Sequence, residues 1–193
     1  MAQFKSDQIE KNAVTMVAAL MAAAARTAPK ARSVDSTTSL FLDGDDLEKL
    51  ALAMECKAGT KPDYLNATLK RDAGNVRNSV GVLLLGVTGE PKRIEQPLDC
   101  GACGYASCER LSQARKEVRT KDFVGPVCIF QAMDLGIALG SAVKLAAELC
   151  IDNRMMYTIG AAAKELKLLD ADVIIGIPLA VASKSPYFDR VGH

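Results

Sequence analysis

The stretch CIFQAMDLGIALGSAVKLAAELC occupies positions 128–150 and is the most strongly helix-favouring apolar segment of this 193-residue chain. It contains no proline, and its small residues, among them Gly136 and Gly140, would let neighbouring elements approach closely. Its composition predicts a helix from Ile129 to Cys150 in the core or at an interface. Because Cys128 opens the stretch, anything bound by Cys128 would be tied directly to the central helix.

Helices and buried strands alternate along the rest of the chain. The sequence predicts helices over Ile9–Ala25, Leu47–Cys56, Pro62–Ala73 and Met156–Leu169, and strands over Ser39–Gly44, Ser79–Val87 and Ala171–Leu179, the last ending at Pro178. The run Ser79–Val87 is apolar throughout, which is typical of a central strand buried on both faces. We therefore expect one layered α+β domain over residues 1–193, with helices packed on a mixed sheet.

Four cysteines ahead of the central helix have the spacing of a metal site. Cys100, Cys103 and Cys108 lie in one short stretch, and Cys128 follows later. A cubane of four irons and four sulfides takes four thiolates, and the first three commonly come from one loop. The spacing therefore favours a [4Fe-4S] cluster held in a segment, residues 90–128, that is inserted into the domain. We call residues 90–128 the cluster segment.

The residues between the cysteines suit such a loop. Gly101 and Gly104 can take left-handed backbone conformations and bring amide groups close to an anionic cluster. Cys108 leads into Glu109–Val118, whose composition favours a helix. Cys108 would then lie near a helix N-terminus, where the helix dipole stabilises a thiolate.

Two other interpretations of these cysteines stay open. A structural zinc site takes four thiolates in a tetrahedron, although such sites usually present two separate closely spaced pairs. Unligated or disulfide-bonded cysteines are the third interpretation. Cys56 and Cys150 lie outside the cluster segment, in predicted helices, and we expect them to pack as small apolar residues.

Composition excludes several classes of function. The only histidine is His193, so a serine or cysteine hydrolase, a histidine-ligated zinc enzyme and a Rieske centre all lack their internal histidines. The net charge of +1 provides no field that would recruit nucleic acid. The chemistry must come from thiolates, carboxylates, basic groups or a bound cofactor.

The sequence also predicts the cellular location of the protein. The alanine-rich run Ala13–Ala25 is shorter than the roughly 20 residues that span a bilayer, and no basic segment and apolar core resembling a signal peptide are seen at the start. We expect a cytoplasmic protein with reduced thiols, no membrane contact and no nucleic acid partner. The large aliphatic fraction, with 49% hydrophobic and only 5% aromatic residues, also suits a homodimer that buries one face.

The cysteine spacing resembles named iron-sulfur families. It is similar to the 4Fe-4S loop of the corrinoid iron-sulfur protein and of the B subunit of Rnf-type electron-transport complexes, a match of about thirty residues. Over its whole length the chain resembles a family of uncharacterised prokaryotic proteins that contain a ferredoxin domain. That resemblance rests on the motifs Arg26–Arg32, Leu98–Cys108, Asp134–Ser141 and Gly176–Leu179.

The order of elements resembles the nitroreductase-like flavoproteins, which are intertwined homodimers with flavin mononucleotide at each subunit interface. The loop Ala28–Ser33 with the following strand and helix, the central stretch Asp134–Ala147, and the segment from Ile159 onward carry this resemblance. It implies a nitroreductase-like fold with helices layered on a mixed sheet, and a flavin site. The basic start that holds the flavin phosphate in that family is missing here.

Three residues are candidates to replace that missing flavin contact. Lys30, Arg32 and Ser33 lie in the loop where the resemblance places the flavin phosphate, next to Arg26. The alternative is that Lys30 and Arg32 are solvated loop charges. A flavin together with a cluster would convert two-electron into one-electron transfer.

The sequence therefore predicts an iron-sulfur redox protein. One [4Fe-4S] cluster would be bound by Cys100, Cys103, Cys108 and Cys128, in electron transfer or reductive chemistry, with FMN at a dimer interface and an electron-transfer partner protein. A non-enzymatic redox module or sensor is the first alternative. A zinc-stabilised structural protein is the second.

Overall fold

The computed structural model describes residues 3–116 and 121–188 of the chain. Within these ranges it contains six α-helices and four strands. The helices are α1 (Ser6–Thr27), α2 (Asp45–Ala58), α3 (Asp63–Arg77), α4 (Cys108–Lys116), α5 (Ile129–Glu148) and α6 (Tyr157–Glu165), and the strands are β1 (Thr37–Asp43), β2 (Gly81–Val87), β3 (Asp152–Asn153) and β4 (Val173–Ala180). The last two residues of the predicted helix Glu109–Val118 lie outside the described residues.

The four strands form one sheet in the order β1-β2-β4-β3. Every described pairing is antiparallel, so the sheet is not mixed as the sequence analysis expected. The reason lies in the connection between β1 and β2, which contains two helices packed on each other, α2 and α3. One crossover helix would return a strand in the parallel direction, whereas a helical hairpin returns it antiparallel.

Helices cover both faces of the sheet. Helices α2, α3 and α6 pack on one face, and α1 and α5 pack on the other. Strand β2 is buried at every position. Leu84 lies in the core formed with α2, α3 and α6, and Leu83 and Leu85 lie in the core formed with α1 and α5. Alternate side chains of a strand point to opposite faces, so a strand covered on both sides needs an uninterrupted apolar sequence. The prediction of a central buried strand is confirmed.

The central helix is placed as its sequence predicts. Leu135, Ala138 and Ala142 of α5 are buried in the core that α5 shares with α1 and the sheet. By length and composition alone, α5 is also apolar enough to cross a bilayer, and it is the one described helix with this property. Two polar residues near its start, Gln131 and Asp134, are buried as well.

The observed boundaries differ from the predicted ones at the ends of elements. Strand β4 continues through Pro178 to Ala180. Strand β3 pairs only with the last two residues of β4, so Pro178 has no partner on β3 and the missing N–H of proline is tolerated there. Cys56 and Cys150 are exposed, which corrects the expectation that they pack in the core. Cys150 lies beyond the end of α5 with φ of 60°, in a connection rather than inside a helix.

Candidate metal centre

The four predicted cysteine ligands line one small, partly open cavity. All four are free thiols: Cys100 is exposed, Cys103 and Cys108 are half-buried, and Cys128 is buried. Within residues 3–116 and 121–188, no three or more His, Cys, Asp or Glu side chains converge at the spacing that holds a single metal ion. The fold therefore places the four cysteines around one shared cavity.

The backbone of the cysteine loop, residues 99–108, turns at its two glycines. Gly101 has φ of +73° and Gly104 has φ of +85°, and the Gly104 N–H donates a hydrogen bond of 2.9 Å to the Gly101 carbonyl. No atom lies within 4 Å of a Cβ built on either glycine. The glycines are thus required by backbone conformation and not by crowding, as the sequence analysis expected.

Cys108 is the first residue of α4. Its N–H donates a hydrogen bond of 2.7 Å to Oδ1 of Asp99, which satisfies one of the unpaired amides at the helix start. The predicted position of Cys108 at a helix N-terminus is confirmed. The sequence analysis missed Asp99, because it lies nine residues before the amide that it accepts and so outside the local capping pattern.

Cys128 immediately precedes α5, as its position in the sequence predicts. Its N–H donates a hydrogen bond of 2.8 Å to the Gly89 carbonyl, and its own carbonyl accepts from the N–H groups of Gln131 and Ala132. Gly89 follows the end of β2, so Cys128 is attached both to the sheet and to the central helix. The fourth thiol is therefore fixed by hydrogen bonds of the folded domain.

Arg115 fixes the helix that follows the cysteine loop. Its side chain is 5% exposed and binds the carboxylates of Glu90 and Asp172 and the carbonyl of Pro126. A Cβ on Gly89 would lie 2.2 Å from Nη1 of Arg115, so any larger residue there would have to displace this guanidinium. Arg115 thereby joins α4, both ends of the cluster segment and the start of β4, and no pattern in the sequence indicated it.

A buried ion pair joins the cluster segment to the central helix. Nζ of Lys92 lies 2.5 Å from Oδ2 of Asp134, and the two side chains are only 2% and 4% exposed. Lys92 also donates to the carbonyl of Val34, and Asp134 accepts the N–H of Ala31 at 3.0 Å. Lys92 lines the cysteine cavity. The sequence analysis gave neither charged residue a role, although Asp134 opens the motif Asp134–Ser141, because the two partners lie far apart in the chain.

The three candidate flavin contacts lie in a turn beside this ion pair. Lys30 donates hydrogen bonds of 2.8 Å and 2.7 Å to the carbonyls of Ala25 and Ala28, at the end of α1. Arg32 donates to the carbonyl of Gln96 in the cluster segment. Ser33 is exposed, and both Arg32 and Ser33 have φ of 56°. Both cations thus donate to backbone carbonyls.

A second polar network holds the return arm, which we define as residues 121–128. Asp122 pairs with Lys57 at 2.9 Å and with Lys61 at 2.7 Å, and it accepts the hydroxyl of Tyr157. Burial by itself raises the pKa of Asp122, but these three donors outweigh it and hold the pKa well below the ordinary value of 3.8. Burial and the bond to Asp122 raise the pKa of Tyr157 to about 12.

Comparison with protein families identifies relatives of the whole chain. Residues 124–190, which include Cys128 but not the other three cavity cysteines, match the family described as uncharacterized protein containing a ferredoxin domain. An uncharacterized protein of Archaeoglobus fulgidus is 46% identical over 178 residues, which are 92% of this chain and 91% of that relative.

Comparison with solved structures identifies the fold. The nitroreductase-like family protein from Bacillus cereus matches with a TM-score of 0.55 and 9% identity, over 100% of this chain and 94% of its own. A nitroreductase family protein from Clostridium novyi NT matches with a TM-score of 0.51 and 14% identity, over 94% and 77%. The chain spans 58 to 65% of the length of several longer structural neighbours, among them nitroreductase A from Vibrio parahaemolyticus.

Identities this low show the fold and leave activity aside, whereas the archaeal relative is similar over nearly its whole length. The predicted nitroreductase-like α+β fold is confirmed, apart from the direction of its strands, and the predicted family is confirmed as well. The chain belongs to the family of uncharacterized proteins containing a ferredoxin domain, and it has a nitroreductase-like fold.

Proposed function

We propose that this chain is an iron-sulfur redox protein that binds one [4Fe-4S] cluster through Cys100, Cys103, Cys108 and Cys128. The observation that carries the proposal is that these four free thiols line one cavity. When bound, such a cluster supplies one-electron transfer. The surrounding residues hold the ligands, exclude water on the Cys128 side and leave the Cys100 side open to an electron-transfer partner protein.

The donor set fits a cubane in three respects. Four thiolates without histidine are the usual ligands of a [4Fe-4S] cluster. In a cubane each thiolate binds a separate iron, so the four sulfurs need not converge on one point as they must around zinc. The left-handed turns at Gly101 and Gly104 also bend the loop so that Cys100, Cys103 and Cys108 line the same cavity.

The chain offers matched controls for a direct test. The protein is purified without oxygen or reconstituted with iron and sulfide, and iron, acid-labile sulfide and visible absorbance are measured for Cys103→Ser and Cys128→Ser. We expect both variants to lose most of the cluster. Cys56→Ser and Cys150→Ser, which alter exposed cysteines away from the cavity, should retain it. If Cys103→Ser keeps the full iron content, the ligand assignment is wrong.

Metal analysis of the same material separates the cluster from the zinc alternative. Stoichiometric zinc without sulfide, in protein that never bound iron during anaerobic preparation, would support a zinc-stabilised structural protein instead. Four irons and four sulfides per chain would support the cluster.

A flavin is the second component of the proposal. The turn Ala31–Ser33, which contains the candidate contacts Arg32 and Ser33 and follows Lys30, lies against Asp134 and the cluster segment. A flavin bound there would sit near the cluster and could exchange electrons with it. For FMN to bind through Lys30 and Arg32, these side chains must exchange their carbonyl partners for phosphate.

Visible spectroscopy decides whether the protein is a flavoenzyme. Anaerobic protein incubated with FMN and passed through a desalting column should show flavin bands in addition to the iron-sulfur shoulder, and Arg32→Ala should reduce the retained flavin. A shoulder without retained flavin would favour the non-enzymatic redox module or sensor.

We propose further that the protein is a homodimer that contacts its partner through α5. Met133 and Ile137 on this helix are 52% and 42% exposed, and no atom lies within 4 Å of a Cβ built on Gly136 or Gly140. Light scattering should give twice the chain mass for the native protein and for Tyr64→Glu, which alters an exposed residue on α3. Ile137→Glu should give the monomer mass, and an unchanged mass would exclude this face.

A further inference from the structure

Only one member of the ion pair Lys92–Asp134 lines the cysteine cavity. Lys92 is among the lining residues, whereas its carboxylate partner Asp134, on α5, is not. Of the described residues that line this cavity, Lys92 is the only lysine or arginine, and Asp99 is the only acidic residue. The oxygen Oδ1 of Asp99 accepts the Cys108 N–H, so this carboxylate is directed to the start of α4.

Burial gives this arrangement an electrostatic consequence. The Lys92 side chain is 2% exposed, so water and salt screen its charge far less than they screen a surface lysine. A cluster with four thiolates is anionic, and taking up one electron makes it more negative. A nearby cation therefore stabilises the reduced form more than the oxidised form, and local charge is one of the factors that set cluster potentials.

We infer that Lys92 raises the reduction potential of the cluster, and that Asp134 holds Lys92 in the position from which it does so. Asp134 also accepts the N–H of Ala31 in the turn proposed to contact flavin, so one carboxylate positions both the cation at the cavity and that turn. This inference rests on the proposed function, because it requires a bound cluster. Lys92 is thus a tuning residue and not a ligand, and Asp134 is the positioning residue.

The test is a dithionite titration of anaerobically reconstituted full-length protein, followed by electron paramagnetic resonance. In Lys92→Met the midpoint potential should fall, with the equilibrium constant for reduction at least about tenfold smaller, which is about 59 mV for a one-electron couple. Lys92→Arg should keep the native midpoint because it keeps the charge. Arg93→Met removes the same charge at the adjacent exposed position and should leave the midpoint unchanged.

Folding of the variants has its own control. Lys92→Met leaves Asp134 buried without its partner, and circular dichroism shows whether that variant folds. If it does not, the double variant Lys92→Met with Asp134→Leu removes both charges, and the midpoint should still fall because Lys92 is the member that lines the cavity. A midpoint equal to the native one in the folded variant, or an equal shift in Arg93→Met, overturns the inference.

The measurements also separate this inference from the proposed function. Iron and sulfide are determined in every sample before titration. Native protein that binds no cluster overturns both proposals together. Clusters of equal content in native and variant proteins, with coinciding midpoints, overturn only the role of Lys92.

Discussion

The cysteine loop and the return arm supply thiols to the same cavity, but the fold holds them in different ways. In the loop, Cys100 is exposed, and the described hydrogen bonds are one glycine turn, the bond of Asp99 to Cys108 and two bonds from α4 amides to Ser107. In the return arm, Cys128 is buried, bonded to Gly89 just after β2, and continuous with the central helix. The arm is thus part of the packed domain, whereas the loop is held mainly by bonds within itself and to the start of α4.

The largest expected effect on stability comes from removing the side chain that attaches α4 and the return arm to the rest of the domain. Arg115→Met removes the buried guanidinium that binds Asp172, Glu90 and the Pro126 carbonyl. We expect the free energy of unfolding of the cluster-free protein to fall by about 3 kcal/mol, because a buried pair loses one partner. Urea denaturation measures this change.

The matched control for that variant is Arg110→Met on the exposed side of the same helix. It should change the free energy of unfolding by no more than about 0.5 kcal/mol. Equal losses in the two variants would show that Arg115 does not fix the arm.

The next effect comes from the carboxylate in the return arm. Asp122→Asn weakens the bonds to Lys57, Lys61 and Tyr157 and should cost about 2 kcal/mol, since hydrogen bonds to charged groups contribute roughly that much. Thermal or urea unfolding at neutral pH checks this value. A change within error would mean that the arm is held by its backbone contacts alone.

The same residue makes stability depend on acid. Because the pKa of folded Asp122 lies below its ordinary value of 3.8, its contribution to stability is complete above that pH and is lost as the pH falls toward the lower folded pKa. Urea denaturation between pH 5 and pH 2 should therefore show a steeper loss for the native protein than for Asp122→Asn. Parallel curves would contradict the shifted pKa.

Tyr157 reports on the same network at alkaline pH. Its pKa is raised from 10.0 to about 12, so its contribution to stability is complete below pH 10 and is lost as the pH rises toward 12. Ultraviolet titration should show one tyrosine near 12 that disappears in Tyr157→Phe. In Asp122→Asn this tyrosine should titrate at lower pH, because it loses its carboxylate partner.

Removal of the proposed cluster should increase hydrogen exchange in the cysteine loop more than in the return arm. After chelation of iron, the amides of Gly104 and Cys108 should exchange hydrogen about tenfold faster or more, because the loop loses its ligand. The amides of Val124 and Cys128 are bonded to Asp172 and Gly89 and should keep most of their protection. Equal loss at all four positions would show that the arm also depends on the cluster.

The fold followed from local patterns to different degrees. The central helix from Ile129 and the buried strand at Gly81–Val87 were predictable, since their apolar sequences permit few other structures. The direction of the strands was not, because it depends on how α2 and α3 pack on each other. The exposure of Cys150 was also missed, since the helix ends before it and its backbone turns left-handed.

The sequence by itself determined the donor set of the candidate site. The spacing of three cysteines, the two glycines between them and the fourth cysteine at the start of the central helix are all local features. Local features act through neighbouring residues, and backbone conformation and helix starts respond to them directly. The likeness to known families rests on the same short motifs.

Only the tertiary structure decided what surrounds the thiols. The partners in the pairs Lys92–Asp134, Arg115–Asp172 and Lys57–Asp122 are distant in sequence, and no local pattern indicates that they pair. Such pairs are specified by the packing of whole elements, because a charge is buried only where another element brings its partner. The chain itself thus identifies the thiols, and the fold selects the charges that act on whatever they bind.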